Sequence, residues 1–200
     1  MATIATVRAR AKALAAQHRA DPRALAGLAL KAAPKDEQLA FELFRASKKS
    51  VLTLTPSEVE SLLAHLHDWV STDCFACFVS GVAWREGVLT DRTIHLWSKS
   101  DNLWVRRAAL VSTIPLNCKA RGATLPQGEA TRTLAVCASL VNDREDMIVK
   151  ALSWALRELV GKDNRALRAF LNTYDDRLAA RVKREVSNKL VSGLKNPRKP

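Results

Sequence analysis

Three segments of this 200-residue chain set a tryptophan one helical turn from a charged side chain: W69-V-S-T-D73, N102-L-W-V-R-R107 and S153-W-A-L-R157. Positions three or four apart share one face of a helix. Trp69 therefore faces with Asp73, Trp104 with Arg107, and Trp154 with Arg157. Buried, Asp73 would lack an obvious partner; exposed, Trp69 would leave a large apolar area in water. A groove that handles something anionic and partly apolar reconciles the two, and a nucleic acid fits. Each tryptophan also has a plainer reading. Trp84 and Trp97 read as core, as does Trp104 among Leu103, Val105, Ala108 and Leu110, whereas Trp69 and Trp154 suit core or contact equally.

The charge balance favours the same class of partner. Thirty-two Lys and Arg oppose 20 Asp and Glu, a net charge of +12. Residues 1–100 carry 13 basic and 10 acidic groups, and residues 101–200 carry 19 and 10. A positive field of this kind attracts polyanions, DNA or RNA first among them. Basic residues recur at helical spacing in Lys162, Arg165 and Arg168, then in Arg177, Arg181 and Arg184. Such stripes are either solvated faces or phosphate contacts.

Other chemistries find little support. Cys74 and Cys77 form a C-x-x-C with no second pair at zinc-finger spacing, and their apolar helical flanks suit small core residues. His65 and His67 diverge on a helix and read as surface residues rather than a metal pair. No glycine-rich phosphate loop, G-x-S-x-G or H-E-x-x-H occurs. No apolar run reaches the length of a membrane span.

The elements that must position these residues are helices. Asp21-Pro22 and Thr55-Pro56, the latter followed by Glu58, pair an N-cap with proline at the first helical position. Ser100-Asp101-Asn102 and Asp163-Asn164 are further starts, while Gly87 and Gly161 fall where helices would stop. The acid-poor first 20 residues read as an amphipathic helix in preference to an organellar transit peptide. Residues 118–128 read as a loop, and 194–200 as a frayed basic tail. The fold class is all-α.

Valine, a basic residue and a small or β-branched side chain recur at Val105-Arg106, Val149-Lys150 and Val182-Lys183. Valine followed by Arg or Lys on the second helix of a pair is typical of HEAT-like repeats, which stack into a solenoid with a concave face. The expected organisation is a single α-helical repeat domain over 1–193 with its basic face concave.

W69-V-S-T-D73, D101-N-L-W-V-R-R-A-A-L110 and V149-K-A-L-S-W-A-L-R-E158, in this order and spacing, resemble the bacterial DNA alkylation-repair glycosylases built from HEAT-like repeats, the AlkD type. The resemblance covers roughly residues 37–192 and leaves the N-terminal helices of 1–36 poorly matched. It implies hydrolysis of the N-glycosidic bond of purines made cationic by alkylation at N3 or N7. The implied partner is double-stranded DNA, with no metal or organic cofactor, no membrane and a monomeric protein. It implies a cytoplasmic location, nucleoid-associated if the source is bacterial. Carried over position by position, the catalytic carboxylate falls on Asp73, and the tryptophans facing sugar and backbone on Trp69 and Trp154. Arg107 and Arg157 take the phosphate-binding places, with Arg106, Lys150, Lys162 and Arg165 as further DNA contacts. The chain departs from the family pattern at Val70, where a second acidic residue often stands. Two other functions are compatible with the residues: a non-catalytic helical-repeat DNA-binding protein and a protein-interaction scaffold.

Overall fold

The computed structural model describes residues 3–117 and 129–197, so the expected loop at 118–128 lies outside the described residues. Among those described there are helices and turns but no strand, which makes the fold all-α. Residues 1–90 and 91–200 form two compact units.

The first unit begins with α1 (Ile4–Gln17), α2 (Pro22–Ala32), α3 (Glu37–Ala46), α4 (Lys48–Val51) and α5 (Pro56–Ser61). A 3-10 turn at Leu62–His65 leads to α6 (Trp69–Phe75), which continues through a π turn at Ala76–Ser80 into α7 (Gly81–Arg85). The starts follow side-chain chemistry. Asp21 accepts from the Ala24 N–H at 2.9 Å. Thr55 and Glu58 form a reciprocal capping box behind Pro56. Helix α3 is the hub, packing against α1, α2 and α6. Its Phe41 meets Phe75 of α6 with ring centroids 5.8 Å apart, and Leu25, Phe44, Leu62 and Trp84 complete the core. Gly87 supplies the positive φ of 82° that ends α7, as Gly161 does at 81° after α12.

The second unit contains α8 (Asp91–Trp97), α9 (Leu103–Val111), α10 (Thr113–Asn117), α11 (Glu129–Ser139), α12 (Asp146–Glu158), α13 (Asn164–Thr173) and α14 (Ala180–Ser192). Asn102 caps α9 and Asp163 caps α13, accepting from Trp104 and Ala166. Helix α12 packs between α9 and α14, and α11 packs against α8 and α13. The three valine-basic segments therefore lie on three successively stacked helices. Ion pairs and hydrogen bonds bridge the stack: Arg106 to Asp143 at 2.9 Å, Arg144 to the Arg177 carbonyl at 2.9 Å, and Arg181 to Asp146 at 2.8 Å. Beyond α14, the Lys195 carbonyl accepts from Asn188 at 3.0 Å. No helix among the described residues is long and apolar enough to cross a membrane.

One ion pair in the first unit carries a pH signature. Arg23 grips Glu58 with two nitrogens, at 2.9 and 2.6 Å, and these bonds with the capping N–H of Thr55 hold the carboxyl down to about 2. Its folded value lies below the ordinary 4.5, so its contribution is complete above about pH 4.5 and is lost as pH falls toward 2. Glu58→Gln is expected to lower the melting temperature near neutral pH by roughly 2–4 °C. The gap from wild type should close as pH approaches 2. Thermal unfolding followed by circular dichroism across that range checks both statements.

Candidate nucleic-acid interface

The candidate residues fall on both units. In the first, Asp68 accepts from the Ser71 N–H at 2.7 Å, and the Ser71 hydroxyl faces back to the Asp68 backbone. This box fixes where α6 starts, and Thr72 secures it by donating to the Asp68 carbonyl at 2.6 Å. Burial alone would raise the Asp68 carboxyl, but the bonds from Ser71 outweigh it and hold Asp68 below the usual aspartate range. Ser71, Thr72 and Phe75 then point inward and are buried. Trp69 points outward and is 54% exposed, with Asp73 one turn on and partly exposed. Val70, at 36%, shares the outward arc.

Next to this arc lies a buried charge cluster. Glu42 of α3 is 2% exposed and lies between Arg8 at 3.0 Å and Arg45 at 2.9 Å. The Arg45 guanidinium stands 5.4 Å from the centroid of the Phe78 ring. The Cys74 thiol reports on the cluster. Burial pushes it up to about 11, Glu42 and Asp73 add to the rise, and Arg8 and Arg45 oppose it. Asp73 thus shares its local field with Glu42 and two arginines. The same shift keeps Cys74 a protonated thiol, and Cys77 is only half-buried. A cavity of about 190 Å³ adjoins, lined by Phe41, Val70, Ser71 and the carboxylates of Glu37 and Asp68; neither Trp69 nor Asp73 lines it.

In the second unit, Trp154 is half-buried and its Nε1–H donates to Glu158 at 3.2 Å. Arg157 donates from Nε to Ser153 Oγ at 3.3 Å and stands 3.9 Å from Glu185. Glu185, 2% exposed, also accepts from Ser153 at 2.5 Å and from Arg181 at 3.1 Å, with Lys195 at 3.5 Å. Burial would raise its carboxyl, but these hydrogen bonds and charges together hold it below the usual glutamate range. Trp154 and Arg157 thus belong to two separate sets of contacts on α12, Trp154 with Glu158 and Arg157 with Ser153 and Glu185.

The basic candidates divide by commitment. Arg106 belongs to the stack through Asp143 and the carbonyls of Ser100 and Asp101. Arg107, expected to hold phosphate, is 5% exposed and donates to the Met147 carbonyl at the start of α12. Lys150 pairs with Asp146 at 2.6 Å and Lys162 with Glu158 at 3.7 Å, while Arg165 is exposed. Trp84 and Trp97 are core residues, and Trp104 is half-buried. Sequence reasoning missed Ser153, Glu158 and Glu185. The first two stand at i+4 spacing to Arg157 and Trp154, a readable signal; Glu185 is 32 positions from Ser153 and becomes visible only through the repeat period.

The family model of the DNA alkylation repair enzyme matches residues 2–190. The chain belongs to that family. Its match begins at residue 2 and so takes in α1 and α2, which the motif resemblance over 37–192 had left out. Membership assigns this DNA alkylation repair enzyme to DNA repair and makes DNA its partner. No curated protein and no solved structure matches the chain.

Glu185 should be a stability residue of the α12–α14 pair. Removing it leaves the buried Ser153 hydroxyl and the largely buried Arg157 without that acceptor. Glu185→Ala is expected to cost roughly 1–3 kcal/mol, measured by denaturant unfolding. A loss within experimental error of zero would contradict the network.

Proposed function

We propose that the enzyme hydrolyses the N-glycosidic bond of cationic N3- and N7-alkylated purines in duplex DNA. The observation that carries this reading is the outward pairing on α6 of Trp69, 54% exposed, with the partly exposed carboxylate of Asp73. An alkylpurine already bears a positive charge and can depart without a general acid. The difficult species is the oxocarbenium-like sugar that remains, together with the water that must attack it. A carboxylate opposes that developing charge and orients the water. Indole faces attract a growing cation at the sugar, a role that suits Trp69. Cations on the phosphates fix the backbone. In the second unit, Trp154, Arg157 and the exposed Arg165 are proposed as separate contacts to the DNA. In this structure Arg107 is buried and donates to the Met147 carbonyl at the start of α12.

A second reading is a DNA-binding member without catalysis, favoured by the apolar Val70 exposed beside Trp69. Incubation with dimethyl-sulfate-treated duplex separates the two. The proposal expects free 7-methylguanine or 3-methyladenine from the wild type, and DNA binding with no released base supports the second reading. Asp73→Asn is expected to cut base release by about 10²–10³-fold, with DNA affinity little changed. Excision at the wild-type rate by this variant would remove Asp73 from the mechanism.

A further inference from the structure

The cavity of about 190 Å³ has no part in the chemistry assigned to Trp69 and Asp73, yet it opens against the same helix. Successive residues of a helix stand about 100° apart. Val70 and Cys74, which line the cavity, therefore form the stripe of α6 next to that of Trp69 and Asp73. The outward arc of α6 leads from an indole and a carboxylate directly into a recess. The start of α3 supplies the other wall with Glu37, Gln38 and Phe41.

The walls combine two chemistries. Val70, Phe41 and the protonated Cys74 thiol are apolar or weakly polar. Glu37 and Asp68 add two carboxylates, and the bonds from Ser71 keep Asp68 ionised. Glu37 has His67, at 3.6 Å, as its ion-pair partner. Among the described residues no lysine, arginine or histidine lines the cavity, in a chain of net charge +12. The Gln38 side-chain amide lines it too and makes no hydrogen bond among the described residues. Such walls repel a phosphate and attract a cation with an apolar body. Pockets for drug-sized ligands measure roughly 300–1,000 Å³, so this smaller one suits a single ring system. An alkylated purine has that combination: a positive charge spread over a flat ring, with donors and acceptors on its edge for a free amide to meet.

We infer that the cavity is a subsite for the alkylated base, which enters it while still cationic and is told from an undamaged base by its charge. The inference rests on the proposed excision of alkylpurines and names what recognises the lesion. The base reaches the cavity by leaving the stack, at a cost that is least for a damaged base. When the glycosidic bond breaks, its electron pair goes to the purine, which becomes neutral, and the positive charge passes to the sugar. Water then adds to the sugar carbon and loses a proton to solvent. Asp73 opposes the charge that appears, whereas Glu37 and Asp68 oppose the charge that disappears. The subsite therefore stabilises bound substrate at least as well as the transition state. Its contribution is to selection of the lesion, in KM, and not to kcat.

The test compares two duplexes that differ at one base, guanine or 7-methylguanine, each on a 2′-fluoro sugar that resists cleavage. Fluorescence anisotropy with the full chain gives the ratio of affinities, in which any change in general attraction to DNA cancels. The cleavable methylated duplex gives kcat and KM for release of 7-methylguanine. The wild type is expected to prefer the methylated duplex. Glu37→Gln should reduce that preference about two- to fivefold, the effect of one partly exposed charge pair, and Glu37→Lys should reduce it further. In Glu37→Gln, KM should rise by the same factor with kcat unchanged or higher. A preference that both variants retain overturns the subsite alone. So does a wild type that excises 7-methylguanine but shows no preference, and so does a fall in kcat with KM unchanged. A preference that depends on Glu37 without any base release supports the subsite and removes the glycosylase. Absence of both preference and release overturns both.

Discussion

A carboxylate leaves water only where cations and donors replace its hydration, and two glutamates meet that condition where the candidate side chains lie. Glu42 is enclosed by Arg8 and Arg45, and Glu185 by Ser153, Arg181, Lys195 and, at longer range, Arg157. Neither gains much net stability from its ion pairs, because desolvation cancels most of the Coulomb attraction. Their effect is on geometry. Each arginine so held has a fixed guanidinium and loses little further freedom on meeting an anion. Arg45 is steadied over Phe78, and Arg157 is steadied beside Ser153 one turn from Trp154. The buried acids thus convert flexible basic side chains into placed ones.

The stacked helices supply the spacing on which this depends. In the second unit, Arg106, Arg144 and Arg181 each reach a residue 33–37 positions away: Asp143 before α12, the Arg177 carbonyl before α14, and Asp146 at the start of α12. Arg8 and Glu42, 34 positions apart, do the same in the first. A repeat of this length brings chemically matched residues together without a long loop. It also explains why adjacent Arg106 and Arg107 serve different partners: they diverge by about 100° on α9. One meets Asp143 and the other the Met147 carbonyl.

Much of this was legible in the chain. Proline-flanked caps marked α2 and α5, Asn102 and Asp163 marked α9 and α13, and periodicity without alternation excluded a sheet. Trp69 and Asp73 could be placed on one face because i and i+4 positions follow from helix geometry alone. What escaped was set by contacts distant in sequence. Burial of Arg107 depends on where α12 begins, and the role of Glu185 depends on α12 and α14 meeting. The division of charge at residue 100 hid the basic N-terminal stretch, because the acidic residues of 51–100 cancelled it. Lys195, just past α14, meets Asn188 and Glu185 on that helix, contacts that composition does not announce.

The exposure of Trp69 needs a cause, because burying such a ring is worth roughly 1.5–3 kcal/mol in a protein whose total stability is about 5–15 kcal/mol. The cause is the phase of α6. Its cap at Asp68 sets the first residue of the helix, and Phe75, locked against Phe41, sets its rotation. With Thr72 and Ala76 also fully buried, the inward arc has no place left. Turning α6 to bury Trp69 would bring Phe75 into water and exchange one aromatic loss for another. The fold therefore holds an indole outward with a carboxylate one turn away, on a helix whose neighbour carries Arg8-paired Glu42 and Arg45. Under the proposed reaction, a DNA sugar would bring an apolar edge to that ring and, as the bond to the base breaks, a positive charge to the field of the Asp73 carboxylate.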